Sequence, residues 1–264
     1  MQTTQVGSHT VAYDDCGAGH PLLLITGLGG TRFGWWKQIE PFSRIFRVIA
    51  MDNRDAGDSA PGTGPYTIAD MAGDAAGLIK NLNLGPTFVA GISMGGFISL
   101  ELAIRYPELV EKLILISTSA GGKMHVNPSL RMRLLLTSRE KDIEKRVRNV
   151  YPKIAAPGYL KAHPEDLGHI IQTAKSKPIS GDAYQRQLGA VIKHDAAPRL
   201  DRITAPTLVI HGECDPLVPY ANGKYLAAHI KGARFSSYPG VGHLLPIEAP
   251  ERFNREVVDF LAEG

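Results

Sequence analysis

The chain has 264 residues, 44% of them hydrophobic, enough to bury a full core within one large domain. Its formal charge of +3 is small, and the one basic concentration, Arg131 to Arg148, is interleaved with Glu140, Asp142 and Glu144, so it reads as solvated helix faces and not as a nucleic-acid surface. Cys16 and Cys214 lie far apart with no CxxC or Cys/His ligand spacing; neither a disulfide framework nor a zinc site is suggested, and reduced thiols are expected.

Met1 to Gly19 is polar and lacks both the basic start and the apolar segment of a signal peptide. The longest apolar runs, such as Leu22 to Ile25 and Leu113 to Ile116, are strand-sized and too short to cross a bilayer, so a soluble, cytoplasmic protein without membrane or nucleic-acid partners is expected. A strand pair is expected around Thr10 to Tyr13, with Gly17-Ala18-Gly19 making the turn. Short runs of branched apolar residues then recur, each followed by Gly or Asp and a segment of helical period, which is the pattern of a parallel sheet. The strands fall near Pro21 to Thr26, Arg47 to Met51, Thr87 to Ile92, Lys112 to Ser117, Thr207 to His211 and Arg234 to Tyr238, and every one can be central and buried. Thr67 to Leu82 is an amphipathic helix, Phe97 to Arg105 another that Pro107 stops, and a last helix starts at Glu248-Ala249-Pro250 with Phe253, Val257, Phe260 and Leu261 inward. The fold class is α/β.

Between about Gly122 and Leu200 no convincing strand occurs, and helical period takes over at Leu130 to Leu136, Asp142 to Val150 and Asp182 to Ile192. The expected organisation is a core of residues 1–121 and 201–264 with a helical lid, 122–200, between two strands. Such an insertion would lie over the carboxyl ends of the strands, where open α/β sheets bind ligands, and form one wall of the substrate pocket.

The strongest local signal is Gly91-Ile92-Ser93-Met94-Gly95, between a strand and a helix. A serine on that strained turn stands above the sheet, and glycines two residues to either side remove Cβ atoms that would collide. A serine hydroxyl becomes a nucleophile only when an imidazole takes its proton. Of nine histidines, His243 is placed best, in the loop Pro239-Gly240-Val241-Gly242-His243 after the last strand and before the last helix. Asp215, a few residues after the strand ending at His211, is the carboxylate expected to orient it, with Glu213 as the fallback. The chain order Ser93, Asp215, His243 is the order this fold uses. Backbone N–H groups of Met94 and of the loop Thr26-Gly27-Leu28-Gly29-Gly30, there most suitably Leu28, would form the oxyanion hole. That loop is not a dinucleotide fingerprint, because Arg32 stands where its third glycine would be.

Together these segments, with Asp52-Asn53-Arg54-Asp55-Ala56-Gly57-Asp58-Ser59, resemble the α/β-hydrolase superfamily from about Leu22 to Phe260, and in particular its bacterial esterase and lactonase branch, such as 3-oxoadipate enol-lactonases or polyketide methyl esterases. The resemblance implies a mostly parallel, eight-stranded sheet with a lid after the sixth strand, no metal or organic cofactor, and Ser93, Asp215 and His243 as a triad served by Leu28 and Met94. It also implies hydrolysis of a small carboxylic ester or lactone. Carbon–carbon bond hydrolysis and cofactor-free perhydrolysis use the same triad in this superfamily, whereas a binding protein of the same fold would usually lack a triad member. The chain departs from the family at Thr26, where histidine is common, and at Asp55, where glycine is. The segment around Arg54 reads equally as a loop tied by a hydrogen-bond network or as a substrate contact. Trp36, Phe97 and Met132 are candidates for the pocket wall; Trp35 and Trp36 fit core packing equally well.

Overall fold

Alternation along the central strands sends successive side chains to opposite faces, and both faces are apolar, so the sheet must be covered on both sides. In the computed structural model, which describes residues 1–137 and 140–263, this is what occurs. Eight strands form one sheet: β1 (Gln2–Val6), β2 (His9–Cys16), β3 (Pro21–Ile25), β4 (Arg47–Met51), β5 (Thr87–Ile92), β6 (Val110–Ile116), β7 (Thr207–Gly212) and β8 (Arg234–Tyr238), in the order β1-β2-β4-β3-β5-β6-β7-β8. The pairs β1·β2 and β2·β4 are antiparallel and the rest parallel.

The helices are α1 (Ile39–Ser43), α2 (Ile68–Asn81), α3 (Met94–Arg105), α4 (Leu130–Leu136), α5 (Ile143–Ile154), α6 (Tyr159–Ala162), α7 (Pro164–Ser176), α8 (Gly181–Lys193), α9 (Ala221–His229), α10 (Leu245–Glu248) and α11 (Pro250–Ala262). Leu23 and Ile25 of β3 pack with Met71 and Leu78 of α2, Ile98 of α3 and Leu226 of α9. Leu22 and Leu24 pack on the other face with Phe42 of α1 and Phe253 and Val257 of α11. The start of α2 is fixed by a capping box, in which Thr67 Oγ1 accepts from Asp70 N–H and Asp70 accepts from Thr67 N–H. Helices α4 to α8 stand between β6 and β7. Residues of α4 to α7, among them Met132, Val147, Leu160 and Ile170, make a third apolar cluster with Leu244 and Ile247 next to the histidine loop. Among the described residues no helix is long and apolar enough to cross a membrane.

Three expectations need correction. Gly7-Ser8, between Val6 and its partner His9, turns the first hairpin; Gly17-Ala18-Gly19 leads from β2 to β3, which are not neighbours. Arg234–Tyr238 is an edge strand, and its first residue is exposed, so not every run is central. Helix α3 begins at Met94 and not at Phe97, because Gly95 and Gly96 are helical.

The chain runs from β3 to β4 on one side and returns to β5 on the other side of β3, so the crossover direction reverses between β3 and β5. That reversal opens a crevice outside the carboxyl ends of these two strands, the usual ligand position in open α/β sheets. Gly27 follows β3 and Ser93 follows β5.

Candidate active site

Ser93 has φ +57° and ψ −120°, a conformation rarely adopted by a residue with a side chain. The turn is possible because the chain passes itself closely on both sides of it. A Cβ at Gly91 would lie 2.3 Å from Gly95 O, and one at Gly95 would lie 2.2 Å from Ile25 O. The Ser93 N–H donates to Ile116 O at 2.9 Å, which ties the turn to the neighbouring strand. Its side chain faces the loop after β3, since a Cβ at Gly27 would sit 3.1 Å from Ser93 Cβ.

Asp215 and His243 meet across the ends of β7 and β8. His243 Nδ1 is 2.7 Å from Asp215 Oδ2, and both residues are buried. The other carboxylate oxygen accepts N–H bonds from Leu217 and Val218, each 2.9 Å. Burial pushes the Asp215 carboxyl up, but the adjacent His243 ring and the His211 ring at 3.5 Å outweigh it and hold it at about 2. The carboxylate is therefore ionised at neutral pH and fixes the Nδ1–H tautomer of His243, leaving Nε2 as the free acceptor. Glu213 is exposed and accepts from Ser237 Oγ at 2.5 Å, so the fallback position is turned away from the histidine. Among the described residues no hydrogen bond joins Ser93 Oγ to the His243 ring; in ligand-free sites this contact is often long and tightens with substrate.

Leu28 N–H and Met94 N–H have no acceptor among the described residues, as a pair of oxyanion donors requires. Met94 N–H opens α3, whose first-turn amides lack intrahelical partners, so developing negative charge at this point is also favoured by the helix dipole. Thr26, in the place of the family's histidine, donates through Oγ1 to Gly30 O at 3.2 Å and so ties the loop to itself.

Around this centre, Trp36 stacks on His169 of α7 with ring centroids 4.2 Å apart, and Met132 is buried in the cluster that includes Leu244. Phe97, one helical turn after Ser93, is buried and stacks on His194 at 4.6 Å. Trp35 is buried beneath the sheet with Phe42 and Leu245, as core packing requires. The segment from Asp52 to Ser59 is a charged network with three centres. Arg54 pairs with Asp74 of α2 through two 2.7 Å bonds, while buried Arg32 joins Asp52, Asp14 and Asp58. Asp55 has φ +70°, which explains why glycine is usual there. Its carboxylate compensates for the strained backbone by accepting from Arg186 Nε (2.8 Å) and Nη2 (2.6 Å), Tyr66 OH (2.7 Å) and Gly62 N–H (2.8 Å).

One contributor was not apparent in the sequence as more than a helix start. Glu248 accepts from the N–H groups of Gly242 and Leu244, on either side of His243, and from Ala156 N–H, all at 2.9 Å. His243 N–H in turn donates to Ile154 O at 2.8 Å. The only hint was its spacing, five residues after the histidine and just before Pro250. Among the described residues the one grouping with metal-ligand spacing is His163, Glu165 and Asp166, but Asp166 is already engaged by Lys37 at 2.7 Å and Tyr159 OH at 2.6 Å.

Comparisons with known proteins place the chain in a family. A family profile of the alpha/beta hydrolase fold matches residues 20–250. The chain is 32% identical over 247 residues to RutD of Serratia proteamaculans, provisionally named a carbamate hydrolase, covering 91% of this chain and 90% of that one. It is 30% identical to 3-oxoadipate enol-lactonase 2 of Acinetobacter baylyi over 91% and 88% of the two chains. The crystal structure of the enol-lactonase from Burkholderia xenovorans matches with a TM-score of 0.89 at 28% identity, over 99% of this chain and 100% of that one. The chain belongs to the α/β-hydrolase family, in its esterase and lactonase branch, and is an enzyme of that hydrolase type.

Proposed function

We propose that the protein is a serine hydrolase that cleaves a carboxylic ester or lactone of a small molecule through an acyl-enzyme. The observation that carries this reading is the buried 2.7 Å pair of Asp215 and His243 at the same sheet edge as the strained Ser93 turn. His243 Nε2 takes the Ser93 proton as Oγ attacks the substrate carbonyl, and the tetrahedral oxyanion is received by Leu28 and Met94 N–H. The imidazolium, balanced by ionised Asp215, gives the proton to the leaving alcohol, or to the ring oxygen of a lactone. Water then repeats the sequence on the acyl-enzyme and releases the acid. Residues 122–200 act as the lid of this site over a core of residues 1–121 and 201–264, with Trp36, Phe97 and Met132 contributing to the pocket wall. The names of the enol-lactonase relatives support an ester-like bond as the target.

The test is intact-mass analysis after treatment with a small fluorophosphonate, on wild type, Ser93→Ala and His243→Ala. Single labelling of wild type is expected, absent in Ser93→Ala and nearly absent in His243→Ala. Folded wild type that takes no label would overturn the reading.

A further inference from the structure

Gln187 on α8 is a fully buried amide in contact with the loop that carries Leu28. Its Oε1 accepts the N–H of Gly29 at 2.8 Å, and its Nε2 donates to the carbonyl of Arg54 at 2.9 Å. Both of its polar ends are therefore used, and both go to backbone groups more than 130 residues earlier in the chain.

The loop itself is a four-residue turn, Gly27 to Gly30, closed by Gly30 N–H donating to Gly27 O at 3.0 Å. Gly29 at its third position has φ +69°, the signature of a type II turn. A type I turn of the same four residues differs mainly by rotation of the central peptide, whose N–H is that of Gly29. Glycine tolerates both forms, so residues 27–30 do not choose between them. Gln187 Oε1 makes the choice by receiving the Gly29 N–H, and the ring of Tyr184, 3.4 Å from where a Gly29 Cβ would be, packs against the same point. The first peptide of the turn is trans, so Leu28 N–H points opposite to the Gly27 carbonyl that Gly30 holds. That direction is common to both forms of the turn, so what Gln187 adds for Leu28 is place: it pins the turn, and the Leu28 N–H it carries, between α8 and Arg54. Because Gln187 is anchored on Arg54 O as well, the turn is held against the Asp52 to Ser59 segment and not only against α8.

We propose that Gln187 is a positioning residue for the oxyanion hole: by bridging Gly29 N–H to Arg54 O it holds the Gly27–Gly30 turn in the place from which Leu28 N–H meets the tetrahedral intermediate. The helical segment is then part of the catalytic apparatus and not only a cover. The inference rests on the serine-hydrolase reading above.

The experiment uses the full chain, 4-nitrophenyl butyrate as a generic ester and an alkyl trifluoromethyl ketone, whose Ser93 hemiketal places an oxyanion in the hole. Gln187→Met keeps the shape and removes both hydrogen bonds. It is expected to lower kcat by roughly 10- to 100-fold, somewhat less than removing an oxyanion donor outright, with KM changed by less than about threefold. The ketone's inhibition constant should rise by about the same factor as kcat/KM falls. Should Gln187→Met not fold, Gln187→Asn, one methylene too short to span both partners, carries the same expectations. A normal kcat, or a loss confined to KM and thermal stability, would overturn the clamp while fluorophosphonate labelling of Ser93 still stands. Failure of that labelling in wild type would overturn the hydrolase reading and the clamp together.

Discussion

The two sides of the catalytic crevice are held in place by different means. On the nucleophile side the geometry is made by the backbone: Gly91 and Gly95 permit the turn, the Ile116 carbonyl fixes Ser93 N–H, and α3 supplies Met94 N–H. On the opposite side, the Gly27–Gly30 turn and the His243 loop are held by side chains, Gln187 from α8 for the first and Glu248 from the end of α10 for the second, aided by the Asp55–Arg186 pair. Backbone-made geometry needs particular residues next to one another and so leaves a compact motif. Geometry made by side chains leaves less: a glutamine 158 residues from the turn it holds, and a glutamate marked only by its short spacing from the histidine.

The contrast can be tested by breaking each side. Ser93→Ala removes the nucleophile with little change in packing, and turnover should fall by roughly 10⁴-fold or more, about 5.5 kcal/mol of transition-state stabilisation, with the melting temperature nearly unchanged. An active variant in a generic ester assay would sink the assignment of Ser93. Gly95→Ala attacks the turn itself, because the new Cβ would press on Ile25 O, which is backbone and cannot yield. A loss of about 3 kcal/mol or more is expected in urea unfolding, and a folded variant of normal stability would show that the elbow is looser than described.

On the other side, Asp55→Ala should destabilise by about 3 kcal/mol, since it leaves Arg186 and Tyr66 without their acceptor and keeps a Cβ at φ +70°. Asp55→Gly loses the same bonds but relieves the backbone, and should recover about 1 kcal/mol relative to Ala. Equal stabilities would mean that the left-handed conformation is not maintained in the variants. The smallest effect concerns acid. The folded-state value of Asp215, about 2, lies below the usual carboxylate value, so its contribution is complete above roughly pH 4 and is lost as pH falls toward 2. Asp215→Asn should therefore flatten the dependence of the urea midpoint on pH between roughly 4 and 2, and an unchanged slope would count against a depressed Asp215.

The α/β class and the strands from β3 to β7 are legible because each is a run of apolar residues, and β8, Arg-Phe-Ser-Ser-Tyr, is legible mainly by its place before the Gly-rich loop; Ser93, Asp215 and His243, proposed as the triad, stand out because each follows such a strand in a Gly- or Pro-marked loop. The first hairpin is not legible, since β1 is Gln2–Val6, largely polar and exposed, and its turn is marked by a single glycine at position 7. The start of α3 was placed three residues late because a glycine pair normally argues against helix. Here both are helical, and glycine stands there because a Cβ on either would strike Ile25 O or the Thr118 side chain. Helix α7 is faint in the sequence because its apolar face is short, Leu167, Ile170 and Ile171, within an otherwise polar segment. Helix α8 was recognised by period, but its most consequential residue, Gln187, is polar at a buried position, and periodicity cannot say what a buried amide will bond.

The staple at Glu248 bears on how a substrate gets in. It fastens the end of α5, at Ile154 to Ala156, to the very residues that carry His243. If residues 122–200 cover the site as proposed, a swing of that segment as one rigid flap would pull the staple out and displace His243. On that proposal, admission would be a local event, a parting of helices that leaves the Ile154–Ala156 anchor in place, so that the doorway moves while the hinge post, shared with His243, stays still.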